Sequence, residues 1–263
     1  MMKSFSDCFQ YTWTHHFKHQ AQAPTTRANY KHISGVSRPI SDLARGGWWT
    51  ELVSHLKSQG LAPATIHKVI AVATHTVNFT RKAGLHDVTI PEFSRPKLKQ
   101  RRRPHFTREE VELLISHCSP ALADAVTVAA YTGLRQDELL SLTADDIQDN
   151  GIHVTDSKGD DRFVPMHDRV APIINRRLTN NLLFGDDWLN KDQLYGAFKK
   201  ARAAAGLSDK KVWHSLRHSF GSWLADKATA QQIKDLMGHK SILTSQIYIH
   251  SNPLANRSAV ASI

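Results

Sequence analysis

Apolar residues in the first third of the chain recur at the spacing of α-helices. Aromatic residues four positions apart form the stripe of one amphipathic helix, which we expect to face a core. This stripe consists of Phe5, Phe9, Trp13 and Phe17. Three more helices are predicted, one capped by Thr25 and Thr26, one over residues 48–56 and one between Pro63 and Gly84. No strand-like alternation interrupts them, so the first domain is predicted to be helical.

The pattern changes after residue 105, where helical segments surround a short β segment. Thr107 and Glu110 have the spacing of a capping box and predict a helix start. Short segments at 152–154 and 162–164 flank a polar turn and predict a β-hairpin. Helices are further predicted over or near residues 120–132, 135–142, 169–178, 190–205, 214–226 and 229–237. The sequence therefore predicts a mainly α fold with a small antiparallel β-sheet.

Charge is distributed unevenly along the chain. Residues 1–105 carry 16 Lys and Arg but 5 Asp and Glu, whereas residues 106–263 carry 18 and 19. The excess behind the net charge of +10 therefore lies in the first part, which favours a nucleic-acid partner over an ordinary solvated surface. We predict a helical DNA-binding domain over 1–85, a basic linker over 86–105 and a second domain over 106–263.

The predicted linker combines three prolines with a dense basic cluster. The prolines oppose a helix, and the charges suit an extended segment lying along a phosphate backbone. A disordered tether and a basic localisation signal are the alternatives. The residues predicted to contact DNA are Lys97, Lys99, Arg101, Arg102 and Arg103, with Arg95 in the same cluster.

Cysteine usage and hydropathy restrict the compartment. Cys8 and Cys118 are far apart and form neither a disulfide framework nor a CxxC metal site. A reduced, cytoplasmic protein is the default. The sequence has no apolar run of about 18 residues and no signal-peptide core, so no membrane partner is expected.

Five polar residues in the second domain could together act on a phosphodiester. Cleavage of that bond needs an oxygen nucleophile, cations for the non-bridging oxygens and a proton donor. Arginine suits the second role, because its planar fork can hold two phosphate oxygens. His214 and Arg217, three apart on a predicted helix, face the same side, whereas His239 follows Gly238 on a sharp turn. The five residues are Arg135, His214, Arg217, His239 and Tyr248.

These residues resemble the active-site pattern of the tyrosine recombinases, the phage-integrase family of site-specific DNA recombinases. The family pattern is Arg, Lys, His-x-x-Arg, His or Trp, and Tyr. This chain matches it in order with GLRQDELLSL, HSLRHSF, MGHKS and the segment ending in Tyr248. GLAPATIHKVIAVATHTVNFTRKAGL resembles the family's helical core-binding domain, so the likeness covers nearly the whole chain. It implies a two-domain, C-shaped clamp around duplex DNA, with the catalytic domain at 106–263.

The resemblance implies a role for each of the five residues. Tyr248 would be the nucleophile, forming a 3′-phosphotyrosyl bond and releasing a 5′-hydroxyl. Arg135 and Arg217 would hold the scissile phosphate, and His239 would hydrogen-bond it. His214 would handle the tyrosine proton or steady the transition state.

The resemblance implies two further roles. Lys158, in the turn of the hairpin, would be the general acid for the leaving 5′-oxygen. It lies one residue closer to the following Val-Pro than is usual in the family, and an ordinary turn lysine is the alternative. Glu138 would brace Arg135 from one helical turn away. No metal ion or other cofactor is implied, since the phosphotyrosine stores the bond energy. His218 could pair with His214 on a metal, but core packing or solvent is favoured.

The expected function is site-specific recombination by an integrase that transfers DNA strands, integrating or excising a phage or other mobile element. The expected partner is double-stranded DNA, bound by a protein that is monomeric when free and a homo-tetramer on synapsed sites. Accessory DNA-bending or directionality proteins could join it, on the nucleoid or in a phage host's cytoplasm. The tail after Tyr248 is expected to dock on a neighbouring protomer.

Two other functions remain open at this point. One is a catalytically silent DNA-binding regulator on the same fold, which the full set of catalytic residue types opposes. The other is a type IB topoisomerase-like relaxing enzyme, which uses the same chemistry. Assembly into a synaptic tetramer would distinguish a recombinase from the topoisomerase.

Overall fold

The chain divides into two compact units, Met1–Arg101 and Arg102–Ile263. The computed structural model describes residues 2–98, 103–155, 161–188, 190–225 and 227–249. Helices predominate in both units, and the second also contains a three-stranded antiparallel sheet. This confirms the predicted mainly α fold with a small sheet. The division at residues 85 and 105 and the C-shaped clamp stay predictions.

The first unit is built from four α-helices within its described range. The apolar stripe forms α1 as predicted, although its last member, Phe17, lies in a separate 3-10 turn and is still buried. The predicted caps Thr25 and Thr26 are wrong, because they lie inside α2. Pro24 occupies the first turn of α2, a position that suits its fixed φ and missing N–H. The helices are α1 (Phe5–His15), α2 (Ala23–Ser34), α3 (Gly46–Ser58) and α4 (Pro63–Lys82).

The core of this unit extends into the segment predicted as a linker. Residues 86–98 form neither helix nor strand. Nevertheless, Val88 is buried in the core of α3 and α4, and Phe93 stacks on Trp49 with 4.9 Å between ring centroids. The start of the predicted linker is therefore packed against the helices.

In the second unit the predicted capping box starts α5. The backbone N–H of Thr107 donates to Glu110 Oε2 at 2.8 Å, and that of Glu110 donates to Thr107 Oγ1 at 3.2 Å. One helix, α12, was not predicted. The helices are α5 (Arg108–Ser116), α6 (Pro120–Thr132), α7 (Gln136–Leu140), α8 (Ala171–Arg177), α9 (Lys191–Ala204), α10 (His214–Leu224), α11 (Ala230–Met237) and α12 (Ile242–Ile249).

The predicted hairpin is present and gains a third, unpredicted strand. The strands β1 (Ile147–Gln148), β2 (Gly151–Val154) and β3 (Arg162–Pro165) pair antiparallel in that order. Asp149 and Asn150 have positive φ in the tight turn between β1 and β2. The turn between β2 and β3 carries Lys158 at residues 156–160, outside the described residues.

Helix α6 forms the centre of the core and ends where the site begins. Its last residues are buried, and Gly133 closes it with a φ of 67°. A Cβ atom on Gly133 would stand 2.5 Å from the ring of Phe220 in α10. Glycine therefore permits both the left-handed turn and the close approach of α10. This contact brings the residues after α6 next to those of α10.

None of the helices in the described ranges is long and apolar enough to cross a bilayer.

Candidate functional site

The ends of α6, α11 and α12 meet the first turns of α10. Arg217 links three of these elements, because its guanidinium donates to the carbonyl oxygen of Gly133 at 2.5 Å and to that of Met237. Arg135 extends the connection, since its Nη2 atom donates to the carbonyl oxygen of Gly238 at 3.4 Å. Residues that are more than 100 positions apart in sequence thus share one site.

Arg217 is the most deeply buried cation of the site. Arg217 as a whole residue is 3% exposed to solvent. Burial, followed by the nearby charges of Arg135 and Arg162, lowers the pKa of its guanidinium to about 10. Two backbone carbonyls leave the planar side chain little freedom, so the position of its charge is set by the fold.

Glu138 connects two arginines. Its carboxylate accepts from Arg135 Nη1 at 2.5 Å and from the Arg135 backbone N–H at 2.7 Å. It also accepts a forked pair from Arg162 on β3 at 3.0 and 2.6 Å. Burial opposes its ionisation, but the hydrogen bonds and charge of Arg162, together with the hydrogen bonds from Arg135, hold its pKa at about 2. Glu138 is thus a permanent anion that fixes the start of α7 and the side chain of Arg135.

Two of the expected histidines occupy different surroundings. His239 lies after the left-handed Gly238 that ends α11, and its Nδ1 atom is 2.8 Å from Ser245 Oγ. Burial, followed by the charges of Arg217 and Arg135, lowers the pKa of His239 to about 4. His214 is the first residue of α10 and is exposed. Although the residue is exposed, desolvation of its imidazole by the surrounding groups, followed by the neighbouring Arg217 charge, lowers its pKa as well.

Tyr248 points into this cluster from α12. It is 4% exposed, and its ring lies parallel to that of His239 with 6.2 Å between centroids. Its hydroxyl is 2.8 Å from His218 Nδ1. Burial raises the pKa of Tyr248, while the charges of Arg103 and Arg217 and a hydrogen bond from Arg103 oppose that rise. The phenol is therefore protonated at neutral pH and surrounded by cations.

Electrostatics give the site a strong preference for anions. Four guanidinium groups lie within it or beside it, and Glu138 is the carboxylate that contacts two of them. Three histidines have pKa values lowered partly by these cations. Cations that depress one another's proton affinity stabilise an incoming anion. The guanidinium groups belong to Arg103, Arg135, Arg162 and Arg217.

The structure thus brings together most of the residues predicted from the sequence. Arg135, Glu138, Arg217, His239 and Tyr248 are joined by the contacts above, and His214 contacts the cluster through the ring of His218. Of the predicted DNA-binding residues, Lys97 is exposed in the first unit and Arg103 lies beside Tyr248 in the second. The predictions that fall outside the described residues concern Lys158, Lys99, Arg101, Arg102 and the tail after 249.

Sequence reasoning missed the roles of two residues. Arg162, 7% exposed, forms the second ion pair of Glu138, and its only sequence signal is a basic residue at an inward position of β3. His218 contacts the hydroxyl of Tyr248, whereas core packing or solvent was favoured for it. Its place one turn after His214, on the same face of α10, was the available signal.

A cleft of about 620 Å³ opens beside the turn that carries His239. Asp161, the residue after the turn that contains Lys158, contributes to its rim. Arg162 and Lys234 are the two cations among its lining residues. The lining residues are Asp161, Arg162, Phe163, Lys234, Asp235, Gly238 and His239.

Comparison with known proteins identifies the family. The sequence profile of the phage integrase family matches residues 104–254. Tyrosine recombinase XerA of Thermococcus kodakarensis is 30% identical over an alignment of 214 positions, and the match covers 74% of each chain.

Solved structures share the fold. An integrase of the transposon Tn1549, in complex with transposon right end DNA, superposes with a TM-score of 0.76, 18% identity and 99% of each chain covered. A lambda integrase tetramer bound to a Holliday junction gives a TM-score of 0.70 at 18% identity, covering 90% of this chain and 76% of that one. The profile and the XerA relative place this chain in the phage integrase family, the tyrosine recombinases, an enzyme class that transfers DNA strands.

Proposed function

We propose that this site cleaves and rejoins double-stranded DNA through a covalent bond between Tyr248 and a 3′-phosphate, and that it recombines specific sites. The observation that supports this most strongly is the position of the Tyr248 hydroxyl, which is buried beside the cations Arg103 and Arg217. The phenol supplies the oxygen nucleophile, and the neighbouring arginines supply the positive charges that stabilise the phosphodiester oxygens during attack.

The arginines act on the scissile phosphate. Arg135 and Arg217 hold its non-bridging oxygens, and His239 adds a hydrogen bond. Glu138 and Arg162 keep Arg135 in place through the ion pairs described above. These side chains are in position before DNA binds, so little reorganisation opposes the reaction.

The attacking tyrosine oxygen must lose a proton, and the leaving 5′-oxygen must gain one, so the reaction needs two separate proton transfers. Tyr248 attacks phosphorus as its own proton leaves, with His214, the first residue of α10, steadying the developing charge. Lys158 gives a proton to the 5′-oxygen as the P–O5′ bond breaks. A 5′-hydroxyl from the partner strand then attacks the phosphotyrosine and restores the phenol, so no metal or nucleotide is consumed.

The partner is duplex DNA, and the working assembly is a homo-tetramer on two synapsed sites, formed from monomers. The DNA complexes of the Tn1549 integrase and the tetramer of lambda integrase support this by likeness of fold. Lys97, Lys99 and Arg101–Arg103 contact the phosphate backbone. The reaction integrates or excises a mobile element, such as a phage or transposon, with accessory proteins setting its direction.

Covalent trapping on genomic DNA, followed by sequencing of the attached ends, will recover the target site. Two copies of this site on one supercoiled plasmid then test the reaction. We expect wild-type protein to exchange strands between the copies, giving deleted or inverted products. Relaxation of the plasmid without joined sites would instead support a topoisomerase, and binding with neither product would support a regulator.

A further inference from the structure

His218 has no part in the reaction described above, yet it contacts the nucleophile. Its Nδ1 atom is 2.8 Å from the Tyr248 hydroxyl. On the same helix, the ring of His214 meets it edge-on with 4.7 Å between centroids. Among the described residues, His218 rather than His214 places a ring nitrogen at hydrogen-bond distance from Tyr248.

The packing of Tyr248 directs its hydroxyl towards this histidine. A Cβ atom on Gly221 would stand 2.8 Å from Tyr248 Cζ and 2.8 Å from Met237 Sδ. Gly221 lies less than one turn after His218 on α10. The absence of a side chain at this position therefore lets the phenol ring lie against α10, with its oxygen level with His218 Nδ1.

The charged surroundings of His218 come from three elements. His214 and Arg217 lie on α10, Tyr248 lies on α12, and Arg103 and His105 precede α5. Burial and then these cations lower the pKa of His218 to about 3, so its imidazole is neutral at pH 7 and keeps one nitrogen as an acceptor. A bound phosphate brings negative charge to the same cations and thereby restores proton affinity to the ring.

We propose that His218 orients the Tyr248 hydroxyl through Nδ1 and accepts the phenol proton as Tyr248 attacks the phosphate. The inference rests on the proposed function of Tyr248. As the O–P bond forms and the P–O5′ bond breaks, the proton moves from the phenol oxygen to Nδ1 of His218. During rejoining, the incoming 5′-hydroxyl bonds to phosphorus and returns its proton to Lys158, the bond between phosphorus and the tyrosine oxygen breaks, and His218 returns its proton to the departing phenol oxygen. His214 remains available to the phosphate itself.

Two substitutions separate proton transfer from orientation. Asn places an amide oxygen near the position of Nδ1, so His218→Asn keeps an acceptor for the hydroxyl but cannot take its proton. His218→Gln is a second variant in case the first is unstable. His167→Asn is the matched control, because His167 Nδ1 accepts from the Arg169 backbone N–H in a turn where Asn fits.

The measurement is the rate of covalent adduct formation on a nicked duplex carrying the recovered site. We expect His218→Asn to bind this duplex as wild type does but to form the adduct more slowly, on the order of 10²–10⁴-fold. Its rate should rise with pH towards the range where solvent removes the phenol proton, while the wild-type rate stays flat. A fluorinated tyrosine at position 248, with a more acidic phenol, should restore much of the lost rate.

Two results would overturn the proposal. One is an unchanged rate and pH dependence in both variants. The other is a slow variant that neither higher pH nor the fluorinated phenol improves, since His218 would then contribute packing alone. If wild-type protein itself forms no adduct at Tyr248, the proposed function fails and this inference fails with it, so the two failures are distinguishable.

Discussion

Arg217 has a structural task in the fold, and the proposed function gives the same side chain a chemical one. Its guanidinium binds the carbonyl oxygens of Gly133 and Met237, which lie at the ends of α6 and α11. We expect Arg217→Lys to bind DNA but to lose cleavage by a factor on the order of 10²–10³, because a point-charge ammonium cannot grip two phosphate oxygens. Stability should fall by about 1–3 kcal/mol, since one buried carbonyl loses its donor.

Adduct formation and thermal unfolding measure these two effects. Arg176→Lys is the matched control, because Arg176 pairs with Asp124 away from the site and its side chain is half exposed. Cleavage at the wild-type rate in Arg217→Lys would contradict its assignment to the phosphate.

Lys158 can be tested through its leaving group. If it protonates the 5′-oxygen, Lys158→Ala should slow cleavage of normal DNA but spare a substrate with a 5′-thiol, because sulfur leaves without a proton. Lys199→Ala, an exposed lysine on α9, should affect neither substrate. Equal defects of Lys158→Ala on both substrates would move the acid role elsewhere, with Lys240 the next residue to examine.

For individual residues, the sequence predicted which side chains belong to the candidate site better than it predicted the contacts between them. Arg135, Arg217 and Tyr248 were predicted as site residues because their motifs carry recognisable spacing. Arg162 and His218 were not, because their significance depends on partners 24 and 30 positions away. Ion pairs and hydrogen bonds across such separations leave no periodic signal in a single sequence.

Helix packing at Gly221 controls the position of Tyr248 at the scale of elements. Gly221→Ala would place a methyl group 2.8 Å from both Tyr248 Cζ and Met237 Sδ, so α11 or α12 must move. We expect a destabilisation of about 1–3 kcal/mol. The displaced phenol should also lower the rate of adduct formation, on the order of 10²-fold, because reactions of this kind tolerate little misplacement.

Gly196→Ala is the control for this substitution. Gly196 lies inside α9 with nothing within 4 Å of its would-be Cβ atom. Alanine there should stabilise the protein by about 0.5–1 kcal/mol without changing cleavage. A Gly221→Ala protein that is as stable and as active as wild type would show that the close packing is dispensable.

The sequence located the elements with strong local signals. The capping box at Thr107 and the glycine after α6 gave correct ends. The unpredicted α12 is short, and its exposed Ile242 and Leu243 blur the contrast between its faces. Strand β1 has two residues and is too short to show an alternation of apolar and polar positions. Helix α2 begins before the predicted threonine caps, because Pro24 occupies its first turn.

Charge distribution is a property of the whole molecule. Neutralising Arg101, Arg102 and Arg103 together should weaken binding to all DNA sequences and flatten its salt dependence. Each lost phosphate contact should reduce the slope of log affinity against log salt by about one. The control removes three exposed charges of the second unit, Lys199, Lys200 and Lys210, and should alter the slope less. An unchanged slope in the arginine variant would mean that the cluster is a free tether or an address signal.

The assembly of the site from distant segments was predicted only through the family resemblance. Composition indicated a DNA partner, and periodicity indicated the helical class. Neither could show that the ends of α6 and α11 meet at Arg217. Their proximity depends on tertiary packing around the buried α6. Local patterns in a single sequence do not show how distant helices pack together.

The central claim is that Tyr248 is the nucleophile, and Tyr248→Phe tests it most directly. The substitution removes one oxygen and its hydrogen bond to His218, so folding and DNA binding should be nearly unchanged. On a nicked duplex carrying the target site, wild-type protein should accumulate an adduct that survives denaturant and yields a DNA-linked peptide containing Tyr248. The Phe variant should shift the same DNA in a binding gel and give no adduct. An adduct that persists in Tyr248→Phe would contradict the account, and mass spectrometry would then identify the residue that attacks.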